Sequence, residues 1–357
     1  MTDRSTGADD EPMVAWWGSE HPGAPLVVVL HGNGTSEHSM IEISPWLPHG
    51  PVTYGAVRAP LTVDRGYAWF TGREPLADTV GWLLDWLDTQ CETDRSVLLF
   101  AFREGVTVAG ALMLRAPERF SGAVLLHGAL PSAGRRPAVL RGLPVFLADA
   151  EEDPRLPAAD RDHTRDWLRR ESGAPVRLAR TASSAQLAGE IVDAAGSWLG
   201  DRLDHLHAHG ENPLPDGPEP SWPGLSRLPA RAGGPPDTTT DLPQLPVRPA
   251  PALVERLWER IGVGRTAPAA IGPPGTRSLL ADDGPFVDPK AGERAHLHPD
   301  GSLHVALPPA LAYDAVAKGW AVPHPLAGVR VDAGVVLVPA PRDPAELEIV
   351  AALSTAR

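Results

Sequence analysis

Three histidines lie close together in a short segment near the C-terminus, GERAHLHPDGSLHVALPP at residues 292–309. Imidazole nitrogens bind zinc, copper and iron, so histidines that converge on one surface could hold such an ion. The segment is typical of two strands joined by a tight turn. Proline suits the first central position of a type I turn, and glycine suits the left-handed residue after it. Pro299, Asp300 and Gly301 would form that turn.

The length of the turn decides whether the histidines converge. A three-residue loop with a bulged glycine pairs His296 with His304. The same loop pairs His298 with Ser302. Alternate residues and cross-strand partners share a face, so the three histidines would lie together. A two-residue turn would move His304 to the opposite face. We favour the longer loop, because proline fits poorly in a paired position.

A fourth histidine, His324, follows in GWAVPHPLAG at residues 319–328. The imidazoles form a candidate site for a divalent metal ion, with His296, His298 and His304 as its ligands. The competing interpretation is a packed polar cluster whose rings bond to carbonyl groups or carboxylates. The spacing does not choose between the two, since H-x-H is common on strands and lacks the geometry of established metal motifs. No other cofactor is indicated.

A second candidate site lies between an apolar run and an apolar helix, in LLFAFREGVTVAGALML at residues 98–114. The sharp turn reads AFREG at residues 101–105, with Arg103 at its centre. Free backbone donors and the helix dipole would favour an anion at the start of the helix. Arginine stays protonated, so Arg103 cannot act as a nucleophile.

Short apolar runs alternate with helical patterns over the first 200 or so residues. Such runs are typical of parallel strands covered by helices on both faces, which predicts a doubly wound α/β sheet. The predicted strands are 26–32, 96–102, 121–130 and 143–150, and the predicted helices are 81–90, 106–116, 162–172 and 187–199.

Four collinear segments between residues 24 and 200 resemble the phospholipase/carboxylesterase branch of the α/β-hydrolases. They are VLHGNG at 29–34, RAP and GYAWF within 58–70, APERFSGAV and GALP within 116–131, and VFLADAEEDPRLP at 145–157. The resemblance implies the α/β-hydrolase fold and a serine–histidine–acid triad. It also implies an oxyanion loop formed by His31, Gly32, Asn33 and Gly34.

The catalytic positions implied by this resemblance are only partly retained. The acid position holds Asp153, whereas the nucleophile position holds Arg103 and the base position holds Ala185. Losing the nucleophile or the base lowers turnover about a million-fold, so we predict a catalytically inactive hydrolase domain. Alanine in place of the base histidine would leave a cavity between the turn and Asp153, and the Arg103 side chain is long enough to cross it. We therefore predict a charge-assisted pair between Arg103 and Asp153.

The alternative is an active carboxylesterase or lysophospholipase with a non-standard nucleophile. Ser183 and Ser184 adjoin the base position, but no histidine flanks them. His31 in the oxyanion loop and His127 at a strand end are the imidazoles that could approach the site. We do not expect these groups to restore hydrolysis.

The last hundred or so residues predict helices and strands in the order α, β, β, α, β, α, which is typical of a two-layer α+β fold. Asp343 is the predicted N-cap of the final helix, with Pro344 at its first position. Glu346 stands three residues after Asp343, as in a capping box.

Three segments in this region resemble a second family, the small domain named luciferase-like. They are AHLHPDGSLH at 295–304, GWAVPHPLAG at 319–328 and APRDPAELE at 340–348. The resemblance implies a fold but no general activity, and light emission does not follow from the name. Any site would use the histidines first, then Trp320 and Arg342. Metal-dependent activity in this domain is a further alternative.

Residues 204–250 are rich in proline and lack apolar periodicity, which predicts a stiff linker. We therefore predict an inactive α/β-hydrolase domain at 1–203, the linker at 204–250 and the luciferase-like domain at 251–357. The formal net charge of −13 disfavours nucleic acid as a partner. A single cysteine excludes an internal disulfide, and neither a membrane span nor a secretory signal is recognisable. We predict a cytoplasmic protein whose small-molecule or protein partner the sequence does not identify.

Overall fold

A computed structural model describes most of the chain, and the statements below concern that part only. The residues described are 11–71, 75–90, 95–181, 187, 189–211, 220, 222, 227–232 and 251–356. The chain divides into two compact units. The first comprises Met1–Arg135, Val145–Arg165 and Leu178–His207, and the second comprises Arg136–Pro144, Asp166–Arg177 and Ala208–Arg357.

The N-terminal part of the chain alternates strands and helices, as the sequence predicts. Its elements are β1 (Val14–Gly18), β2 (Leu26–Leu30), α1 (Glu37–Ile41), β3 (Thr53–Val57), β4 (Leu61–Thr62), β5 (Tyr67–Ala68), α2 (Leu76–Gln90), β6 (Val97–Phe102), α3 (Glu104–Arg115), β7 (Gly122–Leu126), β8 (Val145–Ala150), α4 (Ala158–Arg170), β9 (Val176–Thr181) and α5 (Glu190–His209).

Seven of these strands form one sheet in the order β1-β3-β2-β6-β7-β8-β9. The edge strand β1 runs antiparallel to β3, whereas β3, β2, β6, β7 and β8 pair in parallel. Every residue of β2, β7 and β8 is buried, as expected for strands covered on both faces. The prediction of a doubly wound α/β sheet is confirmed.

The C-terminal part forms a second sheet with helices. Its elements are α6 (Pro251–Ile261), β10 (Thr266–Pro268), β11 (Arg277–Leu280), β12 (Glu293–Leu297), β13 (Leu303–Ala306), α7 (Pro309–Ala317), β14 (Val322–Pro323), β15 (Val335–Val338) and α8 (Pro344–Thr355). The six strands lie in the order β10-β11-β12-β13-β15-β14, and every neighbouring pair is antiparallel.

The two faces of this second sheet differ in chemistry. Leu297 and Val305 pack with Leu257 of α6 and Val350 of α8 in one apolar core. Because side chains alternate along a strand, His296 of β12 and its cross-strand partner His304 lie on the opposite face. The α+β prediction is confirmed. The strands β10 and β14 were not predicted, because two or three residues carry no readable alternation, and β11 was missed as well.

The prediction of a linker at 204–250 is wrong for several of the residues that the structure describes. Helix α5 continues through His209, so residues 204–209 are helical. Trp222 and Leu228 are buried in the C-terminal core. The indole of Trp222 donates to Asp314 Oδ2 at 2.7 Å, which shows how an isolated apolar residue among prolines can be anchored without a helix or strand. The remaining residues of the predicted linker lie outside the described part.

Among the described residues, the structure contains no helix with both the length and the apolar composition that crossing a bilayer requires.

Candidate functional site

The turn between β6 and α3 has strained backbone geometry. Arg103 is the N-cap of α3 and has φ 56° and ψ −123°. A non-glycine residue in such a conformation costs about 1–3 kcal/mol, so the surrounding structure must impose it. A Cβ atom added to Gly105 would lie 2.5 Å from Leu30 O, and one added to Gly128 would lie 2.4 Å from Arg103 O. This close backbone packing produces the sharp strand-to-helix turn that presents the nucleophile in α/β-hydrolases.

The Arg103 side chain forms the predicted ion pair with Asp153. Nη1 of Arg103 donates to Asp153 Oδ2 at 2.5 Å. The arginine side chain is 11% exposed and the aspartate side chain is 1% exposed. The second oxygen, Oδ1, accepts from the backbone N–H of Arg155 at 3.0 Å. Asp153, at the predicted acid position, therefore has its charge balanced by Arg103, at the predicted nucleophile position.

A second internal contact occupies the oxyanion loop, and the sequence analysis did not predict it. Glu104 Oε2 accepts a hydrogen bond from the backbone N–H of Asn33 at 2.9 Å. In an α/β-hydrolase, the hole is built from the N–H of the residue after the nucleophile and an N–H of this loop. The Glu104 carboxylate accepts the hydrogen bond of the Asn33 N–H in the predicted oxyanion loop, and its negative charge would repel an oxyanion. An acidic residue directly after the turn was the signal available in the sequence.

The oxyanion loop is held in place by hydrogen bonds that leave His31 with a structural role. His31 Nδ1 donates to Gly32 O at 2.8 Å, and Nε2 accepts from Ala59 N at 3.1 Å. Burial lowers the pKa of His31 below its ordinary value. Trp69 N donates to Asn33 Oδ1 at 2.9 Å, and Gly34 has a positive φ of 81°. The loop keeps its shape without an exposed imidazole.

His127 lies beside the Arg103–Asp153 pair, as the sequence analysis considered. It follows β7, has φ 54° and is 1% exposed. Neither ring nitrogen has a hydrogen-bond partner among the described residues. Burial, reinforced by the positive charge of Arg103, lowers the pKa of His127 to about 4, although Asp153 opposes the shift. The ring is therefore neutral near pH 7.

The base position, Ala185, lies outside the described residues, as do Ser183 and Ser184. The loss of the base therefore stays a prediction.

The turn between β12 and β13 brings the three C-terminal histidines together. His296 pairs with His304 in the sheet register, and His298 N donates to Ser302 O at 2.9 Å. Gly301 has a φ of 83°, which is the left-handed conformation that a bulged glycine requires. The predicted three-residue loop is confirmed, and the two-residue alternative is wrong.

The three rings form a nearly equilateral triangle. The ring centroids of His296, His298 and His304 are 4.9, 4.8 and 4.8 Å apart. One nitrogen from each ring can be chosen so that all three lie within 4.8 Å of one another. The residues are 2%, 8% and 5% exposed, so the triangle is buried.

Each of two rings has a polar partner on its Nδ1 atom. His296 Nδ1 bonds to Glu293 Oε1 at 2.5 Å. His298 Nδ1 bonds to Ser302 Oγ at 3.0 Å, and Ser302 Oγ donates onward to Asp300 Oδ1 at 2.6 Å. The hydroxyl proton is thus committed to the aspartate, so His298 Nδ1 is the donor in its own bond.

A bulge in β12 places Glu293 beside His296. Residues three apart on a regular strand point to opposite faces. Here Ala295 pairs with Leu279 and Glu293 pairs with Leu280, so Arg294 is an extra residue and the register shifts. The bulge turns Glu293 to the histidine face. No residue pattern in β12 predicts this bulge.

The lowered pKa values of His298 and His304 keep these two rings neutral near pH 7. Burial lowers the pKa of His298 to about 4 and that of His304 well below its ordinary value, and neighbouring histidines add to both shifts. Burial raises the pKa of Glu293, but the hydrogen bond from His296 and further donors outweigh it and lower the pKa below its usual value. A neutral imidazole keeps a lone pair available on one nitrogen.

The remaining predicted site residues lie around the triangle or outside it. The His324 ring is 5.3 Å from that of His304, and its Nδ1 accepts from Leu326 N at 3.1 Å. Trp320 Nε1 donates to Pro229 O at 2.5 Å. Arg342 pairs with Glu346 through Nε at 2.7 Å. Both Trp320 and Arg342 thus have structural partners, and His324 alone of these three contacts the triangle in the described structure.

Comparison with known proteins relates two separate parts of the chain to different groups. The family model named Luciferase domain matches residues 291–356, a range that contains all four histidines. The N-terminal half is similar to the carboxylesterase of Bacillus cereus, with 21% identity and a TM-score of 0.48, covering 54% of this chain and 95% of that one. A sequence search of curated proteins finds no match.

Two further solved structures are similar over the same half. The carboxylesterase from Mesorhizobium loti is 18% identical with a TM-score of 0.46, covering 54% of this chain and 96% of that one. Acyl-protein thioesterase 2 from Zea mays is 18% identical with a TM-score of 0.45, covering 54% of this chain and 99% of that one. The strand order and the turn at Arg103 are those of an α/β-hydrolase fold in the N-terminal part, and residues 291–356 match the Luciferase domain model.

Proposed function

We propose that the N-terminal hydrolase-fold domain does not hydrolyse esters and acts as a binding or scaffolding module joined to the luciferase domain. The observation that carries this proposal is the buried contact between Arg103 and Asp153. A serine hydrolase needs a nucleophile, a base and an acid in one chain of hydrogen bonds. Here the residue at the nucleophile position is a cation that bonds directly to the acid.

The oxyanion loop supports the same conclusion. Transition-state stabilisation by such a loop requires donors aimed at the developing negative charge. The N–H of Asn33 already donates to the Glu104 carboxylate, which carries the same sign of charge as the oxyanion. Both the attack on an ester and the stabilisation of its intermediate are therefore blocked by residues of the chain itself. Replacement of the base by Ala185 would remove the remaining group.

The bulk charge favours a small molecule or a protein over nucleic acid as the partner of this module. The formal net charge of −13 would repel a phosphate backbone. We also propose a cytoplasmic location, as the sequence analysis predicts.

Labelling with a fluorophosphonate tests the proposal. The full chain is incubated with the probe, and hydrolysis of short-chain esters, thioesters and a lysophospholipid is followed in parallel. We expect no labelling above that of the heat-unfolded protein and no turnover above the buffer rate. Stoichiometric labelling of one serine would overturn the proposal if Ser183→Ala, Ser184→Ala or the matching substitution at another labelled serine abolished turnover. That result would establish an active esterase with a non-standard nucleophile.

A further inference from the structure

We propose that His296, His298 and His304 form a three-histidine site for one divalent first-row transition metal ion, with Zn²⁺ as the reference ion. The assignment extends the proposed function to the luciferase domain and stands independently of whether the N-terminal domain hydrolyses esters. It rests on ring geometry, on the protonation imposed by hydrogen bonds, and on a buried nitrogen that lacks a partner.

The ring geometry matches a shared ion. Three imidazoles that bind one ion at about 2.0–2.1 Å in a tetrahedral arrangement have ring centroids about 5 Å apart. The centroids of His296, His298 and His304 are 4.8–4.9 Å apart. Ligand nitrogens around such an ion lie about 3.4 Å apart. The candidate nitrogens lie within 4.8 Å of one another, so the distance between any two must shorten by at most about 1.4 Å. Rotation of the imidazole rings can supply a movement of this size.

The hydrogen bonds on Nδ1 decide which nitrogens of His296 and His298 carry lone pairs. Glu293 Oε1 accepts a hydrogen bond from Nδ1 of His296, and Ser302 Oγ accepts one from Nδ1 of His298. In the neutral rings, the Nε2 atoms of His296 and His298 therefore carry lone pairs. A carboxylate or hydroxyl behind a ligand histidine fixes its orientation and raises its basicity, as Glu293 and Ser302 would do here.

His304 carries the independent observation that points to a ligand. Its Nδ1 is 2.9 Å from His296 Nε2, so the two nitrogens share one proton. Its Nε2 is buried and has no hydrogen-bond partner among the described residues. A buried nitrogen without a hydrogen-bond partner is unfavourable, and a bound ligand would remove that cost. Because His296 Nε2 carries a lone pair, the shared proton belongs to His304 Nδ1 and the lone pair of His304 is on Nε2. Rotation of the His304 ring would break this hydrogen bond and bring Nε2 onto the ion, while the proton stays on Nδ1.

His324 is excluded from the ligand set by its own hydrogen bond. Its Nδ1 accepts from Leu326 N, which leaves the proton on Nε2. The ring can therefore donate a hydrogen bond next to His304, but it offers no lone pair there. Three histidines without a fourth protein ligand leave one position open, as in catalytic zinc sites rather than structural ones.

Metal content and affinity of the full chain test the assignment. The protein is produced without a polyhistidine tag and dialysed against chelator. It is then titrated with Zn²⁺ by calorimetry and with Co²⁺ by visible absorption. We expect one ion per chain and the intense visible bands of tetrahedral Co²⁺. Glu293→Gln should weaken Zn²⁺ binding 10–100-fold, because it removes the charge behind His296 while keeping an acceptor. His304→Ala should abolish stoichiometric binding.

The controls separate ligation from folding. His163→Ala removes an exposed histidine on α4 and should leave both stoichiometry and affinity unchanged. Circular dichroism checks that each variant folds, and His298→Ala replaces His304→Ala if the latter does not. Failure of the wild-type protein to bind Zn²⁺ or Co²⁺ would overturn the assignment. So would binding that the folded His298 or His304 variant retains. Fluorophosphonate labelling does not bear on either outcome.

Discussion

Arg103 and Asp153, at the positions predicted for the nucleophile and acid of a hydrolase, are joined by a 2.5 Å hydrogen bond. The backbone at Arg103 keeps the strained conformation that presents a nucleophile, with φ 56°. The strain is therefore imposed by the fold, through the tight packing of Gly105 and Gly128, and not by the chemistry of the side chain. The same turn can position a cation for an internal ion pair.

Removing one partner of this pair should destabilise the protein strongly. Asp153→Asn or Arg103→Met leaves the other group buried without its counter-charge, and we expect a loss of about 3–5 kcal/mol in the free energy of unfolding. Urea unfolding monitored by circular dichroism measures it. Arg119→Ala removes a partner of the exposed Asp88–Arg119 pair and should cost less than about 1 kcal/mol. Equal costs at both sites would show that the Arg103 pair contributes no more than a surface contact.

The Glu104 carboxylate should limit any attempt to rebuild hydrolysis. A variant with Arg103→Ser and Ala185→His restores the triad positions but keeps the carboxylate on Asn33 N–H. Adding Glu104→Gln should raise ester turnover about 10²–10³-fold, because one oxyanion donor has about that effect on turnover. Steady-state rates on a short-chain ester compare the double and triple variants. Equal rates would mean that the Glu104 carboxylate does not occupy the oxyanion site during reaction.

Part of this architecture was predictable from local sequence, because apolar runs and turn residues report on local structure. The buried runs gave β2, β6, β7 and β8, and Pro299 with Gly301 gave the register of the histidines. The exposed positions of β1 and the short length of β10 concealed those strands. The prediction also missed β3, although all five of its residues are buried, because Gly55 interrupts its apolar run.

The site was predictable only where one residue's chemistry demanded a partner. A buried acid without a histidine requires a cation, which identified Arg103 as the partner of Asp153. The contact of Glu104 with Asn33 joins residues 71 positions apart and depends on the path of a loop. The contact of Glu293 with His296 depends on a bulge that no residue type in β12 predicts. Such contacts follow from tertiary geometry and leave no periodic signal.

His127 should make the protein less stable in acid. Its pKa falls from 6.5 to about 4 on folding, so the unfolded chain binds the proton first between those values. Stability therefore decreases as pH falls from 6.5 to 4, by up to about 3 kcal/mol for this group. His127→Asn keeps a residue that tolerates positive φ and removes the titration. Urea unfolding at pH 7 and pH 4.5 should show a smaller pH difference in this variant than in the wild type.

The charged groups that act on His127 are Arg103 and Asp153, and the substitution leaves both in place. Other buried histidines titrate in the same range, but they are common to both proteins and cancel in the comparison. His163→Asn, at an exposed position, should leave the wild-type pH difference intact. A His127 variant with an unchanged pH difference would contradict the prediction.

The N-terminus of α8 combines a predicted cap with an unpredicted ion pair. Asp343 Oδ1 accepts from Ala345 N at 2.8 Å and from Glu346 N at 2.9 Å, so the predicted N-cap is confirmed. Glu346 does not bond back to Asp343 as a capping box would require. Its described side-chain hydrogen bonds go to Arg231 Nη2, at 2.9 Å, and to Arg342. Asp343→Ala should lower the free energy of unfolding by about 1 kcal/mol in urea unfolding, and Asp343→Ser should recover most of that loss. If Asp343→Ala left the free energy of unfolding unchanged, the cap would not contribute to stability.

The pair between Arg231 and Glu346 tests whether the described part of the predicted linker is an integral part of the C-terminal fold. Their side chains are 6% and 9% exposed. Burial raises the pKa of Glu346, but hydrogen bonds from Arg342 and Arg231 outweigh it and lower the pKa to about 2. The carboxylate therefore stabilises the fold above its unfolded pKa of 4.5, and this stability is lost as pH falls towards 2.

Arg231→Met should therefore destabilise the protein at pH 7 by about 3 kcal/mol, and this difference should shrink as Glu346 becomes protonated in acid. Urea unfolding at pH 7 and pH 3 measures both effects. Arg260→Met removes a partner of the exposed Arg260–Glu348 pair and should change stability by less than about 1 kcal/mol at either pH. If residues 227–232 were only a linker, Arg231→Met would leave the free energy of unfolding unchanged. The buried contact instead makes this arginine, in a segment of low apolar content, part of what holds α8 in place.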